Sequence, residues 1–353
     1  MREEELAAKE KLSCPACGGE AHWNPAKKAL ICAYCGTESP YELVEEGEIV
    51  EHDLVTALRE VPSSARGWEA ERRAVKCQHC DAISVFSAEQ QGSRCDFCGS
   101  SALVPFEETD DIIRPQALLP FDVSESRARD LVRQWYGSRW WAPNNLSKRA
   151  LTDTLKGVYL PYWTFDAQAS ASYTAEAGEP YQDSEGKRRV RWYPVSGYVE
   201  HFFDDTLVCG SRGVHPRLVQ AVEPFPTTDK LKSYDAGYLS GWTVERYQLD
   251  LVASAERGRQ RMREGLRQLC SQDIGNPLQR GLRMDDSFSG QTFKHILLPI
   301  WLVGYDYGRK DYQVVVNGVT GKVAGEHPIS WVKVALAVLA AIIALVIYAS
   351  VSR

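Results

Sequence analysis

The sequence lacks an excess of positive charge. Lysine and arginine together number 41 against 47 aspartate and glutamate residues, which leaves a net charge of −6 at pH 7. Residues 1–60 are more acidic still, with six basic residues against thirteen acidic ones. A protein that binds nucleic acid by general electrostatics needs a basic surface to neutralise phosphates. The composition therefore disfavours that class of function.

The sequence also lacks the short motifs that mark common active sites. It has no G-x4-G-K-[ST] loop for a nucleoside triphosphate, no H-E-x-x-H pair and no G-x-S-x-G nucleophile elbow. The fragment nearest to a phosphate loop, residues 317–322 (NGVTGK), has the wrong spacing and is typical of a hairpin turn. The seven histidines are scattered, and no pair of carboxylates stands out. We therefore expect no enzymatic activity, although a hydrolase built from distant residues would escape this reasoning.

A signal peptide is lacking as well, because the chain begins Met-Arg-Glu-Glu-Glu and has no apolar core there. Ten cysteines could indicate a secreted disulfide scaffold, but eight of them fall in C-x2-C pairs. That pattern favours reduced thiols that hold metal in the cytosol. Cys209 and Cys270 stand alone, and we predict that they are buried small side chains rather than nucleophiles.

Two cysteine cassettes of identical spacing organise the N-terminal third of the chain. Each is C-x2-C, then fourteen residues, then C-x2-C. Four thiolates at this spacing can close on one tetrahedral Zn²⁺, and neither His22 nor His79 is then needed as a ligand. We predict two zinc ribbons and two zinc ions per chain, held by Cys14, Cys17, Cys32 and Cys35 and by Cys77, Cys80, Cys95 and Cys98.

The whole chain is predicted to be an α+β protein with two N-terminal four-cysteine ribbons and one C-terminal transmembrane helix. Its segments are ribbon 1 (1–42), a helical linker (43–73), ribbon 2 (74–106), a mixed α+β domain with an antiparallel sheet (107–330) and the tail (331–353). A short charged helix is expected at 2–12, and the acidic run 107–111 marks a boundary. Within the domain we expect a helix from Ser124 to about Trp135, a hairpin of 167–177 with 189–203, a helix over 243–270, and a meander of 296–307, 312–316 and 321–324.

Two features of this domain leave alternatives open. Five arginines crowd the second half of helix 243–270 (Arg257, Arg259, Arg261, Arg263 and Arg267). They complement the helix C-terminus or form a face for a membrane surface or an acidic partner. Gly258 within the same helix weakens it by about 1 kcal/mol. In addition, residues 298–301 (LPIW) echo residues 160–163 (LPYW), which indicates either an internal duplication or convergence at two strand starts.

The C-terminal run Val334–Val351 contains no charge and is rich in Leu, Ile, Val and Ala. As a helix its eighteen residues would extend about 27 Å, just short of a bilayer core of about 30 Å. Trp331 and Lys333 precede the run, and Arg353 follows it. These features predict a C-terminal tail anchor that crosses the membrane once and leaves the bulk of the chain in the cytoplasm.

The chain resembles bacterial zinc-ribbon membrane proteins that are often labelled TFIIB-type zinc-ribbon proteins. The resemblance rests on the two ribbons and on LLPFD (118–122), GVYLPYWTFDA (157–167), SYDAGYLSGWTVERY (233–247), FKHILLPIWLVGYDY (293–307) and VNGVTGKVAGEHPISWVK (316–333). Some relatives carry the label primosomal protein N′, a replication-restart helicase, whose ATPase motifs this chain lacks. Members are encoded near SPFH-type virion-core proteins and phage-shock-type proteins. The resemblance implies a membrane-anchored adaptor in envelope stress, located at the bacterial cytoplasmic membrane.

Two functions from different classes follow from these observations. The first is a tail-anchored, cytosol-facing scaffold without catalysis, whose zinc ribbons hold protein partners, SPFH-type or phage-shock-type by the resemblance, and which is also a candidate oligomer. The second is a nucleic-acid-binding protein whose ribbons read DNA or RNA. The acidity of ribbon 1 and the predicted tail anchor both favour the first.

Overall fold

The structure is a computed structural model that describes residues 14–38, 49–59, 72–87, 94–106, 113–143, 155–307 and 310–351. The predicted helix at 2–12, the acidic boundary at 107–111 and most of the linker at 43–73 lie outside these residues. The part of the linker that is described contains a two-residue strand, His52–Asp53, and a short helix, Leu54–Arg59.

Fourteen strands are present in the described residues. They are β1 Ala21–Asn24, β2 Ala29–Cys32, β3 His52–Asp53, β4 Arg72–Cys77, β5 Ile83–Ser87, β6 Leu103–Phe106, β7 Ala117–Leu118, β8 Lys156–Gln182, β9 Arg188–Cys209, β10 Lys232–Ser233, β11 Thr243–Glu245, β12 Gln279–Tyr307, β13 Lys310–Asn317 and β14 Val323–Gly325. The helices are α1 Leu54–Arg59, α2 Glu125–Gly137, α3 Pro216–Val222, α4 Thr227–Lys230, α5 Leu251–Ile274 and α6 Trp331–Val351, with a 3₁₀ turn at Ala236–Leu239.

The predicted α+β class is wrong, because the architecture is mainly β. Twelve strands belong to one mixed sheet, and only β1 and β2 form a separate pair among the described strands. The sheet is dominated by three strands of unusual length, β8 with 27 residues, β9 with 22 and β12 with 29. Strands of globular proteins usually have about 5–6 residues. Helical segments of ordinary length therefore make up the smaller part of the fold.

The predicted hairpin and meander are confirmed, in a longer form. Strand β8 pairs antiparallel with β9 on one side and with β12 on the other, and β12 continues into β13 and β14. The far halves of β8, β9 and β12 form an arm (167–182, 188–203 and 279–291). Its inner face is lined by alternate small residues of β8 such as Ala169 and Ala171, and α5 packs against it.

The helix predicted over 243–270 begins later and ends later. Residues Thr243–Glu245 are a strand, and α5 runs from Leu251 to Ile274 with the Asp250 side chain accepting the N–H of Ala253. The start was misplaced because β11 pairs with two segments far away in sequence.

The predicted N-cap of α2 is confirmed, since the Ser124 side chain accepts the N–H of Arg127.

The sheet domain consists of two halves that make the same contacts. Strand β7 runs parallel to β12, and β11 runs parallel to β8. The Trp163 indole donates to the Leu249 carbonyl at 3.0 Å, and the Trp301 indole donates to the Val123 carbonyl at 2.9 Å. Leu160 pairs with Leu298 where the two repeated motifs cross. The two repeated motifs therefore occupy matching positions in the sheet.

The two ribbons join this domain in different ways. Strand β5 of ribbon 2 pairs with β11, so that β4, β5 and β6 extend the main sheet. Ribbon 1 instead packs on the domain through side chains. Its Trp23 is 8% exposed, and the indole N–H donates to the carbonyl of Phe121 at 3.0 Å.

The prediction of a C-terminal tail anchor is wrong. Residues Trp331–Val351 do form a helix, but among the residues that the structure describes no helix is long and apolar enough to cross a membrane. The predicted run of eighteen residues lay near the short end of the range of about 17–25 that spanning requires. The single-pass topology and the location at the bacterial membrane, which both depended on that run, are corrected with it. At the base of the helix, Lys333 donates to the carbonyls of Trp140 and Ala142.

Candidate metal centres

The eight cysteines of the two cassettes come together as two groups of four. Within each group the sulfur atoms all lie within 4.8 Å of one another. Across the two knuckles of each ribbon the Sγ–Sγ distances are 3.6 Å for Cys14–Cys35 and 3.5 Å for Cys17–Cys32. They are 3.6 Å for both Cys77–Cys98 and Cys80–Cys95. A tetrahedron of zinc–sulfur bonds of about 2.3 Å separates its sulfur atoms by about 3.8 Å, so both groups are positioned for metal binding.

Backbone turns hold each C-x2-C pair in this shape. In three knuckles the N–H of a glycine donates to the carbonyl of the first cysteine, as from Gly18 to Cys14 at 2.7 Å. Gly18, Gly36 and Gly99 have φ between 73° and 75°, which is the left-handed region that glycine tolerates best. In the fourth knuckle Asp81 takes that place with φ 60°. All four knuckles are therefore closed by the same backbone turn.

The two groups differ in exposure. In ribbon 1, Cys14 and Cys32 are buried, whereas Cys17 and Cys35 are exposed. In ribbon 2, Cys77 and Cys95 are buried, and Cys80 and Cys98 are only partly exposed. The difference arises because ribbon 2 lies within the main sheet, and Phe97 between its last two cysteines is fully buried.

At the outer edge of ribbon 1, hydrogen bonds favour the thiolate form of Cys35, whereas at Cys17 the Gly19 N–H is outweighed by the neighbouring thiols, which raise the pKa to about 12. The hydroxyl of Thr37 lies 3.0 Å from Cys35 Sγ. This hydrogen bond, together with a second one from the Thr37 backbone N–H, lowers the pKa of Cys35 to about 6. A thiol that ionises readily binds a metal ion at a smaller cost in proton release.

His22, which was predicted not to be needed as a zinc ligand, has its Nε2 3.7 Å from the carboxylate of Glu20.

The two remaining cysteines lie away from these centres. Cys270 is fully buried under the arm, as predicted. Cys209 is partly buried at the end of β9, where desolvation raises the pKa of its thiol to about 12. Burial of this kind suppresses thiolate chemistry, so neither residue resembles an activated nucleophile.

Sequence reasoning missed a third polar group, which lies where β8, β9 and β12 bend. Asp166, Asp204 and Asp205 could together face a metal ion. The Lys294 ammonium already lies among these carboxylates, 3.0 Å from Asp205 and 2.8 Å from Glu51. The Lys294 ammonium therefore supplies the positive charge that a metal ion would otherwise supply to these carboxylates. No spacing in the sequence marks this group, because its members come from four separate segments.

The arginine-rich helix α5 is engaged with its own domain. Arg263 makes a bidentate ion pair with Asp286, whose nearest contact is 2.9 Å. Arg261 contacts Glu223 and the Leu207 carbonyl, Arg259 donates to Gln291, and Arg267 donates to the carbonyl of Leu282. Four of the five predicted arginines are thus directed at neighbouring strands and loops.

Comparison with known proteins identifies a similar chain without a described activity. A protein of Bacillus subtilis, the uncharacterized protein YdjG, is 25% identical over 329 residues, which is 91% of each chain. No family model matches the sequence. No solved structure matches it either. The predicted membership of the TFIIB-type zinc-ribbon group stays a prediction.

Proposed function

We propose that the protein is an adaptor that binds two zinc ions and holds partner proteins, with no catalytic step of its own. The observation that carries this proposal is the pair of four-cysteine groups, one built into the main sheet and the other packed against it. Four thiolates complete the tetrahedral coordination of zinc and leave no open position for a substrate or an activated water. Each ion would therefore have a structural role.

The outer face of the arm offers a surface for such partners. On β9 the side chains of Tyr198 and Phe202 are 57% and 55% exposed on the face opposite α5. Exposed aromatic residues of this kind are enriched at protein interfaces. The resemblance described above suggests SPFH-type or phage-shock-type proteins as partners, and self-association is a further outcome of the same test.

The charges support a protein partner over a nucleic acid. On α5, Arg261 and Arg263 are neutralised by Glu223 and Asp286. On the arm, Arg189 pairs with Asp183 at 2.6 Å and Arg280 pairs with Glu176 at 2.7 Å. Affinity for nucleic acid comes largely from free cations that displace counterions from phosphates. With a net charge of −6, we expect only weak, non-specific binding.

The proposal is tested with the full chain purified in a metal-free buffer. Elemental analysis should give two zinc ions per chain, and cross-linking in the native cells should capture specific proteins. The double variant Tyr198→Ser/Phe202→Ser should lose them, while Tyr34→Ser, which removes an exposed aromatic residue on ribbon 1, should retain them.

The nucleic-acid alternative is tested by fluorescence anisotropy at physiological salt. We expect dissociation constants no tighter than about 1 μM for single- or double-stranded DNA and RNA. Nanomolar binding that is lost in Arg259→Glu/Arg263→Glu would replace the adaptor proposal with the nucleic-acid one. Fewer than one zinc ion per chain would remove the basis of both.

A further inference from the structure

Ribbon 1 covers an aromatic surface of the sheet domain. Its residues Ala21, Trp23 and Leu30 are 0%, 8% and 1% exposed and belong to the same core cluster as the domain residues they touch. Trp23 packs edge-on against Tyr238 with ring centroids 4.9 Å apart. The domain residues at this joint, which we call the aromatic patch, are Tyr238, whose ring Trp23 touches, and Phe121 and Trp242, whose rings stack on each other in the same core cluster.

Little else fastens the ribbon to the domain. Strands β1 and β2 pair only with each other among the described strands, so no sheet hydrogen bonds cross the joint. Among the described residues three polar contacts cross it: the Trp23 indole with the Phe121 carbonyl at 3.0 Å, Lys28 with Asp122 at 2.8 Å, and Ser240 with Glu20 at 3.1 Å. A cavity of about 380 Å³ also lies in the joint, between ribbon residues and the domain. The attachment therefore depends on the burial of Trp23 and Leu30.

That burial depends in turn on the metal centre. The described part of ribbon 1 is residues 14–38, far too short to fold on its own core without a staple. A structural zinc ion supplies the folding free energy of such a unit. Without the ion, the hairpin that presents Trp23 and Leu30 has nothing to keep its shape.

The ligands of ribbon 1 are also the more accessible to an oxidant. Cys17 and Cys35 are exposed, whereas the outer ligands of ribbon 2, Cys80 and Cys98, are partly covered. Ribbon 2 is in addition hydrogen-bonded into the sheet through β5 and β11. Loss of zinc should therefore begin at ribbon 1.

We propose that ribbon 1 is a zinc-dependent cover, and that oxidation of its thiolates releases zinc and exposes the aromatic patch. Hydrogen peroxide is a sufficient oxidant. Two thiolates give up two electrons and form a sulfur–sulfur bond, while the peroxide O–O bond breaks and two protons are taken up, so that two water molecules leave. A second peroxide oxidises the other two thiolates, and the Zn²⁺ departs. The proposal rests on the zinc content proposed above.

The test treats the full chain with hydrogen peroxide and follows three signals together. We expect release of one zinc ion, measured with a chromophoric chelator, and oxidation confined to Cys14, Cys17, Cys32 and Cys35 by alkylation mass spectrometry. Amide hydrogens of the Ala236–Leu239 turn should then exchange at least tenfold faster. Thiol reductant with added zinc should restore their protection.

Two variants separate the cover from the metal. Trp23→Ala should keep both zinc ions yet show the faster exchange without any oxidant, whereas Tyr34→Ala, an exposed aromatic on the same ribbon, should stay protected. The cover proposal would be overturned if a chain that starts with two zinc ions kept its aromatic patch protected after oxidation of ribbon 1, or if ribbon 2 released its zinc first. Either result would leave the adaptor proposal intact. A chain without zinc would instead overturn the adaptor proposal.

Discussion

Replacement of Gly258 by alanine tests whether packing or helix propensity governs α5. Alanine in the middle of a helix is favoured over glycine by about 1 kcal/mol, so propensity alone predicts a more stable protein. A Cβ at Gly258, however, would lie 2.6 Å from a ring carbon of Phe165. Phe165 is 2% exposed and packed within the core, so its ring has little room to move.

The cost of overpacking a well-filled core is about 1–3 kcal/mol, which exceeds the gain in propensity. After subtraction of the gain in propensity, we expect Gly258→Ala to lower the free energy of unfolding by up to about 2 kcal/mol in urea denaturation. Gly137→Ala is the matched control, because a Cβ there meets nothing within 4 Å, and it should be neutral or stabilising. The loss at Gly258 should shrink in a Phe165→Leu background. Equal stability of Gly258→Ala and the parent chain would refute the packing argument.

Three further outcomes are expected. Cys17→Ser should retain one zinc ion and a folded sheet by circular dichroism, whereas Cys80→Ser should also loosen β11, measured as faster amide exchange there, because β5 pairs with it. Lys294→Met should destabilise the chain by about 3–5 kcal/mol in urea, since it leaves the carboxylates of Glu51, Asp166 and Asp205 without their cation; an unchanged midpoint would contradict this. His295 is fully buried, and desolvation lowers its pKa to about 4. Between about pH 6.5 and pH 4 the unfolded chain therefore binds a proton at His295 that the folded chain does not bind, so the free energy of unfolding should fall as the pH falls through this range. The variant His295→Gln should show a smaller dependence on pH.

Local patterns predicted what is decided locally. The C-x2-C spacing located both four-cysteine groups, and the Ser124 N-cap located the start of α2. Alternation of side chains located the hairpin of β8 and β9. Each of these features is set by residues within a few positions of one another, so one chain was sufficient to find them.

Contacts between distant segments could not be predicted in this way. The strand Thr243–Glu245 exists because β8 and β5 lie on either side of it, and the same residues taken alone fit the start of a helix. The Lys294 group unites residues from β12, β8, β9 and the segment before β3. The tail was misjudged for a different reason, since an uncharged run of marginal length says little by itself about a membrane.

The two matching halves differ at the place where ribbon 1 attaches. In one half the His295 ring stacks on Trp163 at 4.9 Å, and Gln116 accepts the His295 backbone N–H. In the other half the position matching His295 is Gly157, and an added Cβ there would lie 2.2 Å from the Trp242 ring. The missing side chain on β8 thus makes room for a large ring contributed by the turn before β11. Because the Trp242 ring also belongs to the aromatic patch, the same residue accounts for the difference between the two halves and contributes to the surface where ribbon 1 attaches.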